Sequence, residues 1–204
     1  MIGASRVLAC VWLATAAGAG GAADAATCGD VQFADTTTVG SSDLVLNGLG
    51  VREATMFNVD VYVAGLYIPE KSVDGAAIIA ANQPWQLLLK FVHDADAADV
   101  RDAFQNGFHR VTGGELGSMQ DRIARLDAQI VDIKEGDYLS LTYDPVAAST
   151  VINLNGMSGS IEGADFANAL LRMSVGQDTP NQQLRAGLLG GPCESTQPSG
   201  PFGD

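Results

Sequence analysis

The chain has 204 residues, 47% of them hydrophobic and 17% charged, with a formal net charge of −13. That length suits one domain of ordinary size with a substantial core. So acidic a chain is repelled by phosphate backbones and anionic bilayers, which excludes nucleic acid as a partner and leaves any acidic ligand dependent on a local cation.

The first stretch, MIGASRVLACVWLATAAGAGGAADAATCGD, has one positive residue, Arg6, then an apolar run from Val7 to Ala17 and a small-residue segment ending near Ala25. This is the layout of a secretory signal peptide over residues 1–25, and the apolar part, about 11 residues, is short of the roughly 20 that cross a bilayer. The chain is therefore expected in the periplasm or secreted, without stable membrane insertion. Cleavage after Ala25 would remove Arg6 and Asp24 together, so the charge would not change. It would also remove Cys10 and leave Cys28 and Cys193 near the two ends of the folded part. An oxidising compartment favours a bridge between them, two unpaired thiols being the alternative.

With no internal repeat and no Pro- or Ser-rich linker, residues 26–193 read as one domain. The Pro/Gly-rich ESTQPSGPFGD at residues 194–204 reads as a disordered tail. Strands are expected at DLVLNGLGVRE, MFNVDVYVAGLYI and WQLLLKFVH, the last bounded by Pro84 and Asp94. A short helix over VDGAAIIAAN, capped by Ser72, separates the second from the third. From Phe57 the second strand splits into Phe57, Val59, Val61, Val63, Gly65 and Tyr67, which look like core, and Asn58, Asp60, Tyr62, Ala64 and Leu66, which look mixed and partly wet. Read as one unbroken strand back to Arg52, that arginine shares the mixed face with Tyr62; a bulge between them would separate the two.

Helices follow. Val100, Phe104, Phe108 and Val111 form one stripe, and Met119, Ile123, Leu126 and Ile130 form another. Strands return at DYLSLTYD and STVINL, with Asn155-Gly156 suited to a type I′ hairpin turn. ADFANALLRMSV and TPNQQLRAGLLG close the chain with helical spacing, Pro180 being placed in the first turn of the latter. Strands, helices, strands, helices is an α+β order, with helices packed on a largely antiparallel sheet.

Several chemistries lack their residues. His93 and His109 have no close ligand-spaced partners for zinc. NGLG at residues 47–50 is a turn or bulge, without the third glycine of a dinucleotide loop, and no Gly-x-Ser-x-Gly elbow occurs. The acidic run Asp94, Asp96, Asp99 and Asp102 reads as a helix start favoured by the macrodipole. No cofactor is implied.

Taken together, LVLNGLGVRE, VDVYVAGLYIPEKS, GDYLSLTYDP, INLNG and FANALLRMSVGQDTPNQQLRAGLLG resemble the chalcone isomerase-like proteins, in particular their exported bacterial branch, from about Val31 to Gly190. The resemblance implies an open-faced β-sandwich: a large antiparallel sheet backed by helices, with a ligand cleft between them. That family holds isomerases that close a chalcone into a flavanone, and relatives without this activity that bind fatty acids. Of the isomerase residues, the strand-head arginine matches Arg52, and the threonine of the next strand falls at Tyr62. The helix asparagine matches Asn106, the tyrosine falls near Asp99, and the late hydroxyl falls at about Met173. With three of these positions changed, the resemblance implies a non-catalytic protein binding a fatty acid or similar amphipathic carboxylate. The alternative is an intramolecular lyase acting on a phenolic enone.

Arg52 is the expected anchor, since a guanidinium is a rigid, permanently charged fork that pairs bidentately with a carboxylate or steadies an enolate. Tyr62 would add a hydroxyl donor and an apolar ring. The plainer alternatives are a surface arginine bridging Glu53 or Asp60, and an ordinary cross-strand aromatic. Asn106 lies about 160–200° around its helix from Phe104 and Phe108, so by spacing alone it is solvated.

Overall fold

In the computed structural model the described residues are 25–54 and 59–193; the side chains of residues 54 and 59 are also outside the description. The expected leader (but for Ala25), the placement of Phe57 and Asn58, and the 194–204 tail therefore lie outside the described residues.

Alternation of apolar side chains builds a seven-stranded antiparallel meander. Its strands, in order, are β3 (Thr36–Val39), β4 (Ser42–Ala54), β5 (Val59–Ile68), β6 (Trp85–Phe91), β7 (Tyr138–Asp144), β8 (Ser149–Leu154) and β9 (Met157–Glu162). Every neighbour in the sheet is also a neighbour in sequence, and the sheet curls so that β3 approaches β7. Asn155 and Gly156 take φ of 50° and 89°, as a type I′ turn between β8 and β9 requires. A separate hairpin, β1 (Ala25–Cys28) and β2 (Val31–Ala34), precedes the meander. These two strands and β3 carry too little apolar alternation to stand out in the sequence.

Five helices complete the fold: α1 (Gly75–Ala80), α2 (Ala97–Thr112), α3 (Gln120–Asp127), α4 (Ala164–Val175) and α5 (Gln182–Leu188), with a 3-10 turn at Gly117–Met119. The expected stripes are the buried ones. Phe108 stacks on Phe166 with centroids 5.2 Å apart, and Ile123, Leu126 and Ile130 are all buried. Two helix starts differ from expectation. Asp74 caps α1, its carboxylate accepting from Ala76 N and Ala77 N, while Ser72 Oγ accepts from Asp74 N one step earlier. Asn181 caps α5 through Leu184 N, so Pro180 precedes the cap instead of sitting in the first turn. In both cases the side chain nearest the first free N–H groups wins the capping role.

The expectation for β5 also needs correction. Most of its mixed face is dry: Ala64 and Leu66 are 1% and 0% exposed, in the main core under the helices, and Tyr62 remains partly buried. Val63 and Tyr67, on the other face, belong to a second core beneath the β1–β2 hairpin. There Phe33 lies over Gly65, Tyr67 donates to Ala34 O at 2.9 Å, and the Lys90 ammonium sits 4.9 Å above the Phe33 ring. A central strand covered on both sides has no solvent face to display. The hairpin is fastened by a disulfide between Cys28 and Cys193, whose Cα atoms are 5.7 Å apart.

Candidate functional site: an arginine and a tyrosine across two strands

Why Arg52 protrudes follows from the glycines before it. On β4, Leu44, Leu46, Leu49 and Val51 face the hairpin core. Asn47 is an extra residue in a bulge, since Leu46 pairs with Tyr67 but Gly48 with Leu66. Beyond the bulge, Gly48 and Gly50 lie against the backbone of α5. A methyl group at Gly48 would stand 2.7 Å from Gly190 N and 2.9 Å from Leu188 O, and one at Gly50 would meet the Leu184 backbone. Asn47 locks this arrangement: its Nδ2 donates to Leu188 O at 2.7 Å and Ser72 O at 3.0 Å, and its Oδ1 accepts from Ser72 N at 2.7 Å. NGLG is thus a bulge followed by a glycine seat for a helix. Arg52 is the next residue on that face, and the first with a side chain.

Arg52 and Tyr62 do share a face, but not along one strand. The chain turns back between them, and they are direct partners on β4 and β5. Tyr62 in turn pairs with Phe91 on β6, their rings edge-on at 5.4 Å and 61°. Arg52, Tyr62 and Phe91 therefore form a row across three strands, about 10 Å from end to end at the usual strand spacing. The register slips just below this row: Glu53 pairs with Asp60, leaving Val61 as the extra residue of a bulge. Bulged residues lean toward their neighbour's face, and Val61 accordingly joins the main core beside Tyr62.

A second row, Glu53 and Asp60 with His93, lies beneath the first. His93 Nδ1 is 2.8 Å from Asp60 O, and Asp60 is buried. Sequence reasoning weighed His93 only as a metal ligand and did not single out Phe91. Parity along β6, continued two residues past Phe91, was the signal available.

The electrostatics suit anion capture. The half-buried Arg52 donates from Nη1 to Glu53 O at 2.9 Å, which uses one of its donors and orients the fork. Burial pushes the Tyr62 hydroxyl above its ordinary range, only partly offset by the nearby guanidinium. Tyr62 is hence a neutral O–H donor beside a fixed positive charge. Among the described residues that hydroxyl has no hydrogen-bond partner. Val61, Tyr62, Val100, Phe104 and Met173 all pack against the main core while remaining only partly buried.

The remaining expected residues are elsewhere. Asn106 and Asp99 are exposed on α2, with no contact that joins them to Arg52 or Tyr62. Met173, on α4, covers Gly107 of α2, where a larger residue would collide with it. The site thus sets two hydrogen-bond donors side by side, with the Phe91 ring against one of them. A guanidinium and a phenol side by side can hold a carboxylate or stabilise an oxyanion.

No curated protein sequence matches the chain. Among solved structures, a fatty-acid binding protein of Arabidopsis thaliana superposes with a TM-score of 0.62, over 78% of this chain and 91% of its own, at 18% sequence identity. At that identity the likeness is one of fold. The sequence model for chalcone isomerase-like proteins matches residues 25–190, from the first strand of the hairpin to the glycine after α5. With that match spanning both the curled sheet and the helices on it, the chain belongs to the chalcone isomerase-like family.

Proposed function

We propose that this protein is a non-catalytic binding protein for a fatty acid or similar amphipathic carboxylate, and that it works in the periplasm. The observation that carries the reading is the cross-strand pair: Arg52, a fixed cation in a chain of net charge −13, directly opposite the neutral phenol of Tyr62. The carboxylate would take the guanidinium fork and the Tyr62 hydroxyl, and the tail the apolar surface toward Phe104 and Met173. Each buried methylene contributes about 0.8 kcal/mol, so a chain of about ten methylenes supplies roughly 8 kcal/mol before ordering costs. The solved Arabidopsis protein of the same fold is itself a fatty-acid binding protein, which agrees with this ligand class. Export is supported by the leader-like first 25 residues and by the Cys28–Cys193 disulfide, a bond that persists in oxidising compartments.

Titration of delipidated protein with dodecanoate tests the ligand. Loss of Arg52 in Arg52→Ala should weaken binding by about tenfold to hundredfold, the value of a charge-assisted hydrogen bond, and Tyr62→Phe by a few-fold. Equal affinity for wild type and Arg52→Ala would overturn the site. Cyclisation of a chalcone faster than in buffer would overturn the word non-catalytic.

A further inference from the structure

A groove of about 670 Å³ is lined by residues of α1, α2 and α4, and none of its lining residues belongs to β4 or β5. That volume is within the usual range for small-molecule sites, roughly 300–1,000 Å³. Its apolar wall is made by Ile79 of α1, Val111 at the end of α2 and Met119 of the 3-10 turn. Its polar groups come from α4, from Asn82 and from Thr112 of α2, whose hydroxyl is already given to Phe108 O at 2.9 Å.

Three facts fix what those polar groups can do. Asp165, Asn168 and Arg172 fall three and four residues apart on α4, and so line one face of it. Asp165 is taken at both oxygens by Arg122, at 2.6 Å each, whereas the Arg172 guanidinium pairs with no described residue. The two amides are each half used. Asn82 Oδ1 accepts from the Tyr143 hydroxyl at 3.0 Å, which leaves its Nδ2 as a donor. Asn168 Nδ2 donates to Ile79 O at 3.0 Å, which leaves its Oδ1 as an acceptor. A smaller recess floored by Trp85 and Tyr143 also includes Asn82 and Asn168 but not Arg172. The amides are therefore at one end of the groove and the cation at the other, about one helical turn of 5.4 Å away plus the reach of the side chain.

We propose that this groove is a second ligand site, for a small carboxylate with a flat apolar body and a hydroxyl at its far end. The carboxylate pairs with Arg172, the body is held by Ile79, Val111 and Met119, and the hydroxyl gives its proton to Asn168 Oδ1 while accepting from Asn82 Nδ2. A longer acyl chain has no matching partner at the amide end. This assignment is independent of the Arg52 site, which uses other elements.

The test is a ¹H–¹⁵N NMR titration of the disulfide-bonded protein with 3-(4-hydroxyphenyl)propanoate, beside 3-phenylpropanoate and phenol. Shifts should gather at the side-chain amides of Asn82 and Asn168 and along α4, and persist in Arg52→Ala. Arg172→Gln should weaken binding of both carboxylates by about tenfold, with phenol little changed. Asn168→Ala should erase the preference for the hydroxylated probe, with Tm lowered by only a few degrees through the lost bond to Ile79 O. The proposal is overturned if no groove signal moves at about 10 mM probe, where even a millimolar site fills. It is equally overturned if Arg172→Gln binds as wild type, or if the shifts vanish in Arg52→Ala.

Discussion

Replacing Gly50 by alanine tests the glycine seat that positions both α5 and Arg52. The backbone at Gly50 has no positive φ, so alanine is conformationally acceptable there and would by itself stabilise by about 0.5–1 kcal/mol through the unfolded chain. Contact decides the sign. The added methyl would be driven into the Leu184 carbonyl oxygen and stand 3.0 Å from the Leu184 Cα and carbonyl carbon. These are backbone atoms on a helix pinned at its other end by Asn47, so no rotamer change relieves them. Overpacking of this kind costs about 1–3 kcal/mol. Lifting α5 also uncovers part of Leu184, Leu188 and Leu189, each worth about 1.5–3 kcal/mol when fully buried. If a third of that burial is lost, the two costs less the alanine gain leave about 2–5 kcal/mol. Urea unfolding should show a lower midpoint at unchanged slope, and Tm should fall by roughly 5–15 °C. Gly65→Ala is the contrast, because its methyl would meet the Phe33 side chain, not backbone, at 2.8 Å. Equal or greater stability in Gly50→Ala would refute the seat.

Asn47→Ala removes three hydrogen bonds and strands the Leu188 carbonyl and Ser72 N–H; chemical denaturation should report a loss of about 2–4 kcal/mol. Replacing Cys28 and Cys193 together by serine should cost about 2–5 kcal/mol relative to the disulfide-bonded wild type, and the reduced wild type should show a similar loss. Burial, and then the Asp35 carboxylate, push the Tyr67 hydroxyl up to about 12 from 10.0. A raised pKa means the native state holds its proton more tightly. This contribution is complete below pH 10 and is lost as pH climbs from 10 to about 12. Ultraviolet titration should find Tyr67 among the last tyrosines to ionise, and Tyr67→Phe should flatten the stability loss in that window.

Local pattern and tertiary arrangement contributed different parts of this structure. Phe104, Phe108 and Val111, or Asn155-Gly156, announce their elements because a helical stripe or an I′ turn is encoded within a few residues. The cap of α1 was misread because Ser72 and Asp74 are both good caps, and only the path of the chain, set by Asn47 holding Ser72, puts Asp74 at the first free N–H groups. The short strands β1, β2 and β3 carry little pattern of their own; the hairpin is held by Phe33 on Gly65 and by a disulfide to a residue 165 positions away.

From the sequence alone came the α+β order, the family resemblance, the two cysteines that pair and the choice of Arg52 and Tyr62 as candidate site residues. On one unbroken strand that pair would share a face; the fold joins it across two strands instead, because β4 and β5 pair antiparallel. Phe91 and His93 entered the site only through the β5–β6 register, and Asn106 stayed on an exposed helix face. The groove at Arg172 could not be read in advance at all. Its residues come from three helices, the 3-10 turn at Met119 and the turn around Asn82, and the free ends of its two amides are defined only by what their other ends already hold. Periodicity says which way a side chain points from its own element; what it meets there is decided by packing between elements far apart in sequence.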